Sequence, residues 1–251
     1  MPPFEKDPAL PVELMPSPNH GERRNGLGVD MLILHYTGMR SAREALARLC
    51  DPAAEVSAHY LVLEEGAIIQ MVAEARRAWH AGGEPWAGDL DLNSRSVGIE
   101  IVNPGHDYGY PDFPDRQIAA VIALCRDIIG RHRIRPERVL AHSDIAPLRK
   151  QDPGEKFPWE RLHAAGVGLW VPPEPPGPMT DALSAGESGP AVRKLQTALS
   201  RYGYAVETHG RYDATTEAVV RAFQRHFRPA RVDGIADRST VESLDRLLAA
   251  L

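Results

Sequence analysis

Cysteine is nearly absent from this 251-residue chain, which has only Cys50 and Cys125. Two thiols are too few for a disulfide framework or a cysteine-rich metal site, and both fall in amphipathic, helix-like stretches where a buried thiol is expected. No apolar run approaches the roughly 18 residues that cross a bilayer, so no transmembrane helix is expected. An excess of positive charge is missing as well, because 29 Lys and Arg stand against 34 Asp and Glu for a net charge of -5. Neither the first 180 residues nor the remainder carries the basic footprint of a nucleic-acid binder. The opening Met1-Pro2-Pro3-Phe4-Glu5-Lys6-Asp7 has no basic n-region and no apolar h-region. As written the chain is therefore expected in the cytoplasm, and a place in the periplasm or envelope would need an export signal not contained in it.

What remains is an ordinary globular composition, 43% hydrophobic and 25% charged, long enough for one large and one small domain. The boundary is legible. Val171 to Pro178 reads Val-Pro-Pro-Glu-Pro-Pro-Gly-Pro, which suits a semi-rigid extended spacer rather than a helix or a central strand. We expect a first domain over 1–170, a linker over 171–180 and a second domain over 181–251. An internal repeat marks the second: Val192-x-x-Leu195-Gln196-x-x-Leu199 returns 28 residues later as Val220-x-x-Phe223-Gln224-x-x-Phe227. Gly210-x-x-Asp213-x-x-Thr216 returns likewise as Gly234-x-x-Asp237-x-x-Thr240. Each aspartate is placed to cap a helix whose first turn holds the threonine, which predicts a compact three-helix unit.

In the first domain, Ser41-Ala42-Arg43-Glu44 is a capping box ahead of a short helix. Ser57 to Leu63 and Ala67 to Val72 flank Glu64-Glu65-Gly66, a hairpin signature. Ile118, Val121, Ile122, Cys125, Ile128 and Ile129 repeat at helical spacing, and Gly130 is the expected C-cap. Strands interleaved irregularly with helices predict an α/β fold, a mixed β-sheet flanked by helices, followed by the small three-helix domain.

Three segments carry chemistry. In Met31 to Thr37 strand alternation sets Ile33, His35 and Thr37 on one face; in Ser96 to Asn103 it sets Gly98, Glu100 and Val102 on one face. An ionised carboxylate such as Glu100 inside an apolar strand costs several kcal/mol unless it is paired, hydrogen-bonded or near a metal. The third segment, Ala141 to Gly154, places His142, Lys150 and Asp152 at offsets of zero, eight and ten after an apolar lead-in, so His142 belongs at a strand end. His35, His142 and Asp152 together make two imidazoles and one carboxylate, a ligand set seen at catalytic zinc sites that keep a position for water. Zinc lowers the pKa of such a water from 15.7 to roughly 7. Glu100 would be the base that takes the proton, and Lys150 would supply charge to an oxyanion. These parts describe amide hydrolysis.

Leu34-His35-Tyr36-Thr37-Gly38, Val56-Ser57-Ala58-His59-Tyr60, Arg77-Ala78-Trp79-His80-Ala81-Gly82, Val97 to Gly105, and the His142 to Gly154 loop with Phe157-Pro158-Trp159 resemble the zinc-dependent N-acetylmuramoyl-L-alanine amidases. The closest likeness is to the AmpD/AmiD (amidase type 2) branch, related in fold to peptidoglycan recognition proteins, and it covers about residues 15 to 170. The resemblance implies cleavage of the amide between N-acetylmuramic acid, or its 1,6-anhydro form, and the L-alanine of the stem peptide. It implies one Zn2+ per chain held by His35, His142 and Asp152, with Glu100 as acid/base, Lys150 as transition-state stabiliser, and His59, Trp79 and His80 along the substrate groove. The C-terminal repeat resembles a peptidoglycan-binding domain, its matching residues being mostly core positions and caps. A monomer acting on peptidoglycan or muropeptides is expected.

Two rival readings stand beside this one. A non-haem iron oxygenase would use His142 and Asp144 with a distant histidine. A binding-only module would recognise peptidoglycan without cutting it. His20, His106, His132, His163, His209 and His226 fall outside the motifs and are expected at the surface. The sequence leaves open the choice between polymeric peptidoglycan and small anhydro-muropeptides.

Overall fold

Strands buried on both faces read as continuous apolar runs, and the two segments of that kind form the middle of the sheet. The computed structural model describes residues 4–24, 26, 28–177 and 179–251; Met1–Pro3 of the opening segment and Pro178 of the proline-rich segment lie outside the described residues. The strands are β1 (Glu13–Leu14), β2 (His20–Glu22), β3 (Met31–Tyr36), β4 (Tyr60–Val62), β5 (Ile68–Gln70), β6 (Arg76–Ala78), β7 (Ser96–Ile101) and β8 (Val139–Ala141). The helices are α1 (Ala42–Cys50), α2 (Leu92–Arg95), α3 (Asp115–His132), α4 (His142–Ile145), α5 (Trp159–Ala164), α6 (Pro190–Tyr202), α7 (Ala214–Phe227) and α8 (Arg238–Ala249).

Six strands form one sheet in the order β1-β5-β4-β7-β3-β8, and β2 pairs with β6 separately. The sheet is mixed: β3 and β4 run parallel to β7, and β1 to β5, while β4 and β5 are the antiparallel arms of the expected hairpin. On one helix, Ser41 Oγ accepts from Glu44 N at 3.2 Å and Leu49 packs with Leu61, Ile69, Met71 and Val102, so α1 is capped and fastened by its apolar stripe. On another, α3 buries Ile118, Val121, Leu124, Cys125 and Ile128, and Gln117 donates to the carbonyls of Val62 (3.2 Å) and Val102 (2.8 Å). Cys125 is fully buried, which pushes its thiol pKa upward, and Cys50 is half-buried.

The expected stop of α3 at Gly130 is corrected by the structure. The helix runs to His132 and closes at Arg133 in the left-handed region, φ 55°. The cause is tertiary: Arg131 Nη2 lies 2.8 Å and His132 Nε2 2.5 Å from the buried carboxylate of Glu74, and Tyr60 Oη donates to it at 2.5 Å. Holding both side chains on Glu74 outweighs the roughly 1 kcal/mol that a helical glycine costs.

The chain packs into two compact units, one of residues 1–83, 91–140 and 165–168, the other of 84–90, 141–164 and 169–251. In the second, the sequence repeat is a single hydrogen-bonding device used twice. Gln196 on α6 accepts from Gly210 N (2.8 Å) and donates to Thr216 Oγ1 (2.9 Å), and Asp213 accepts from Thr216 N (2.8 Å) to cap α7. Gln224 on α7 then accepts from Gly234 N (2.9 Å) and donates to Thr240 Oγ1 (3.1 Å), and Asp237 caps α8 through Thr240 N (2.8 Å). The proline-rich segment lies along α8: Ser239 Oγ donates to Glu174 O at 2.6 Å, and Arg246 donates to Pro172 O at 3.0 Å. No described helix is long and apolar enough to cross a membrane.

Candidate active site

Parallel pairing of β3 with β7 puts His35 opposite Glu100 and Ile33 opposite Gly98, so an imidazole and a carboxylate occupy neighbouring positions on one face. His35 is 1% exposed; Glu100 is half-buried. The His80 ring meets His35 edge-on at 5.1 Å between centroids, with Nδ1 3.1 Å from His35 Nε2, and its own Nε2 lies 3.2 Å from Ser96 Oγ. That ring occupies the space above Gly98, where an added Cβ would come within 2.5 Å of its Cγ and Nδ1. A mid-strand glycine is here the condition for a close ring approach.

The strand β8 delivers His142 at its end, as its apolar lead-in predicts, and α4 begins there. His142 Nδ1 faces Asp152 Oδ2 at 3.0 Å, and the Ser143 amide donates to the Asp152 carbonyl at 2.9 Å, so the two ends of the loop are tied together. Lys150 is half-buried on the same loop, its amide bonded to the Ala146 carbonyl at 3.0 Å. Between these ends, Asp144 turns inward, its side chain fully enclosed. It accepts from the Ala141 amide (2.9 Å), from Tyr204 Oη (2.7 Å) and from His226 Nδ1 (2.7 Å). Burial, reinforced by the Asp144 charge, pushes the Tyr204 phenol well above its ordinary pKa, so it serves as a donor. An enclosed carboxylate without such donors would cost several kcal/mol.

One ligand atom from each of His35, His142 and Asp152 lies within 4.8 Å of the other two. All three side chains are buried. Two imidazole nitrogens and one carboxylate oxygen, converging and largely shielded from water, fit a zinc ion that keeps an open position. Asp144 is not among these donors, its oxygens being engaged by Tyr204, His226 and Ala141.

The remaining predicted positions are placed differently. His59 is fully buried: the Gly98 amide donates to its Nδ1 at 3.0 Å and its Nε2 meets the Arg76 carbonyl at 3.1 Å. Burial, with the Arg23 guanidinium 3.2 Å away, holds its pKa down to about 3. Arg23 itself, brought down to about 10 chiefly by burial, donates to the carbonyls of Glu74, Ser94 and Ser96. Trp79 is half-buried, with its amide on Ser57 Oγ at 2.9 Å. The expectation that His226 lies at the surface is overturned. It is 1% exposed, stacked on Trp159 at 3.7 Å between ring centroids. Its partner Asp144 is 82 residues away in sequence, a distance at which no local pattern exists to be read. Gly98, in contrast, was a visible signal, being a small residue inside an apolar strand.

Comparison with known proteins gives the family and agrees with the fold. Residues 25–155 match the family described as N-acetylmuramoyl-L-alanine amidase, and residues 188–244 match one described as a peptidoglycan binding domain. AmiD of Escherichia coli (strain K12) is 38% identical over 238 residues, spanning 88% of this chain and 82% of that protein. The solved complex of E. coli AmiD with the substrate anhydro-N-acetylmuramic acid-L-Ala-D-gamma-Glu-L-Lys superposes with a TM-score of 0.75 at 36% identity, covering 88% of this chain and 89% of that one. AmpDH3 of Pseudomonas aeruginosa gives 0.73 at 33% identity, covering 94% and 95%. The chain belongs to the N-acetylmuramoyl-L-alanine amidase family.

Proposed function

We propose that this chain hydrolyses the amide joining the lactyl group of N-acetylmuramic acid, or of its 1,6-anhydro form, to the L-alanine of a peptidoglycan stem peptide. The observation that carries the reading is the convergence of His35, His142 and Asp152 beside a strand on which Glu100 is the register partner of His35. These three side chains would hold one zinc ion, which when bound supplies a Lewis acid that makes water acidic enough to lose a proton near neutrality. His80 fixes the orientation of the His35 ring, as outer partners of ligand histidines do. Glu100 takes the proton of the attacking water as its oxygen bonds to the lactyl carbonyl carbon. The same carboxyl returns that proton to the alanine nitrogen as the carbon–nitrogen bond breaks. Lys150 brings positive charge to the oxygen that becomes anionic in between.

His59 enters this scheme as support for β7 rather than as a substrate contact, because its ring is enclosed and both nitrogens face backbone groups. Trp79 remains a groove residue of the proposal, whereas His80, buried with one nitrogen on His35 and the other on Ser96, is kept as the partner of the His35 ring. The three C-terminal helices are assigned to binding the peptidoglycan polymer, a role supported by the family match over 188–244.

The test is a side-by-side assay of the zinc-loaded chain on intact sacculi and on anhydro-muropeptides. Release of stem peptides that begin with a free L-alanine amine is expected. A chain that binds one zinc yet releases no such peptide from either substrate would overturn the reading.

A further inference from the structure

The enclosed carboxylate of Asp144 takes no part in the chemistry above, yet it sits two residues after one ligand, His142. Two of the three hydrogen bonds it accepts come from the C-terminal helical region, from Tyr204 just after α6 and from His226 on α7. The neighbouring residue on α7, Arg225, donates to Gln151 Oε1 at 3.2 Å, one residue before the other ligand, Asp152. The helical region thus grips the ligand loop near both ends. Aromatic contacts surround the grip: His226 stacks on Trp159, Trp86 meets Tyr202 and Tyr204 edge-on at 5.6 and 4.9 Å, and the Ala87 amide donates to the Gly203 carbonyl at 2.8 Å. Gly203 has no room for a side chain, since a Cβ would come within 2.6 Å of the Trp86 ring.

Resting on the zinc amidase reading, we propose that Tyr204 and His226 are positioning residues for the metal centre: through Asp144 they hold the 142–152 loop so that His142 and Asp152 are presented together. The three-helix region would then be part of the catalytic scaffold as well as an attachment to polymer. An enclosed carboxylate makes this grip selective. Apolar packing tolerates small displacements, whereas a buried charge with fixed donors has few satisfactory positions. Groups that hydrogen-bond a metal ligand directly commonly change metal affinity or activity by about 10- to 100-fold, and a hold exerted through the loop is expected at the lower end of that range.

The experiment uses the full chain with Tyr204→Phe, His226→Phe and the double substitution, each keeping a ring in the aromatic stack while removing a donor to Asp144. Zinc affinity is read by competition with a chromophoric chelator, kcat and KM on a soluble anhydro-muropeptide, and amide exchange at Ser143 in the metal-free protein. Leu247→Ala, a cavity in the buried face of α8, controls for loss of stability alone. The double variant is expected to lose about 10-fold in zinc affinity and in kcat, with KM nearly unchanged, faster exchange at Ser143 and partial recovery in excess zinc. Leu247→Ala should lower Tm while leaving zinc affinity as in the parent. If the double variant does not fold, the two single variants and Arg225→Ala read the same grip. Zinc affinity and kcat within about two-fold of the parent across all the folded variants would overturn the proposal. A parent chain that binds zinc but cleaves nothing would instead sink the amidase reading, and the affinity comparison would still decide this one.

Discussion

His35 and Glu100 are register partners on adjacent parallel strands, so the ring proposed to hold metal and the carboxylate proposed to move protons are carried side by side by interior strands of the sheet. Strand backbones fix such pairs better than loops do. The geometry separates two roles that a single inactive mutant would confuse.

Glu100→Gln should therefore keep zinc at full occupancy and lose on the order of 100-fold or more in kcat. Metal content and turnover measured on the same preparation check this. Near-normal turnover with one zinc per chain would remove Glu100 from the mechanism.

Gly98→Ala is expected to act on the centre without touching a ligand. The new Cβ would collide with the His80 ring, whose backbone cannot easily retreat because the Asn93 side chain accepts from the His80 and Ala81 amides at 2.9 and 2.8 Å. The ring must shift, and His35 loses its neighbour. A drop in zinc affinity of about 10-fold, approaching the larger effect of His35→Ala, is the expected result. Unaltered affinity would mean that the His35 ring is oriented by other contacts.

Lys150→Ala should reduce kcat by about 10²- to 10³-fold, as removal of an oxyanion donor does, with little change in zinc content. Lys150→Arg should recover part of the activity, since the charge survives on a head of different shape. Equal activity in the parent and Lys150→Ala would show that the oxyanion is stabilised without this side chain.

Acid should destabilise the fold in two stages, both with the same sign. Burial, reinforced by Arg23, keeps His59 neutral down to about pH 3, whereas in the unfolded chain it protonates near its ordinary 6.5. The unfolded state therefore binds more protons between those values, and stability falls as pH drops through that window. Glu74 follows below it. Its burial favours protonation, but hydrogen bonds from Arg131, His132 and Tyr60 outweigh burial and hold the pKa at about 2, against an ordinary 4.5. Its contribution is complete above about pH 4.5 and is lost as pH falls toward 2. Urea titrations of the metal-free protein from pH 7 to pH 3 should show the decline, and Glu74→Gln should be less stable at pH 7 but flatter below pH 4.5. A Glu74→Gln curve parallel to that of the parent would refute the assignment.

What could be read from sequence was whatever has a short period. Alternation by two placed His35 and Glu100 on neighbouring positions of one face, the His142–Asp152 spacing put the two proposed ligands on one loop, and the Gly-x-x-Asp-x-x-Thr pattern located two helix starts, because a cap bonds to a residue three positions on. What could not be read depends on partners far along the chain. Gly130 looks like a helix end until Glu74 draws Arg131 and His132 onward. His226 looks like a surface residue beside the stripe of Phe223 and Phe227 until Asp144 claims its Nδ1. A buried polar contact between segments leaves no periodicity, and only the cost of burying each group alone hints that a partner exists.

The proline-rich segment invites comparison with a tether, but its fastening to α8 through Pro172 and Glu174 gives it another character. A free tether is slack that exchanges and is cut readily. A pinned one is an edge of the helix it lies on. The backbone at Pro172 and Glu174 should therefore resist proteolysis for as long as α8 stays folded, and a substitution that frees Ser239 and Arg246 would turn that edge back into slack.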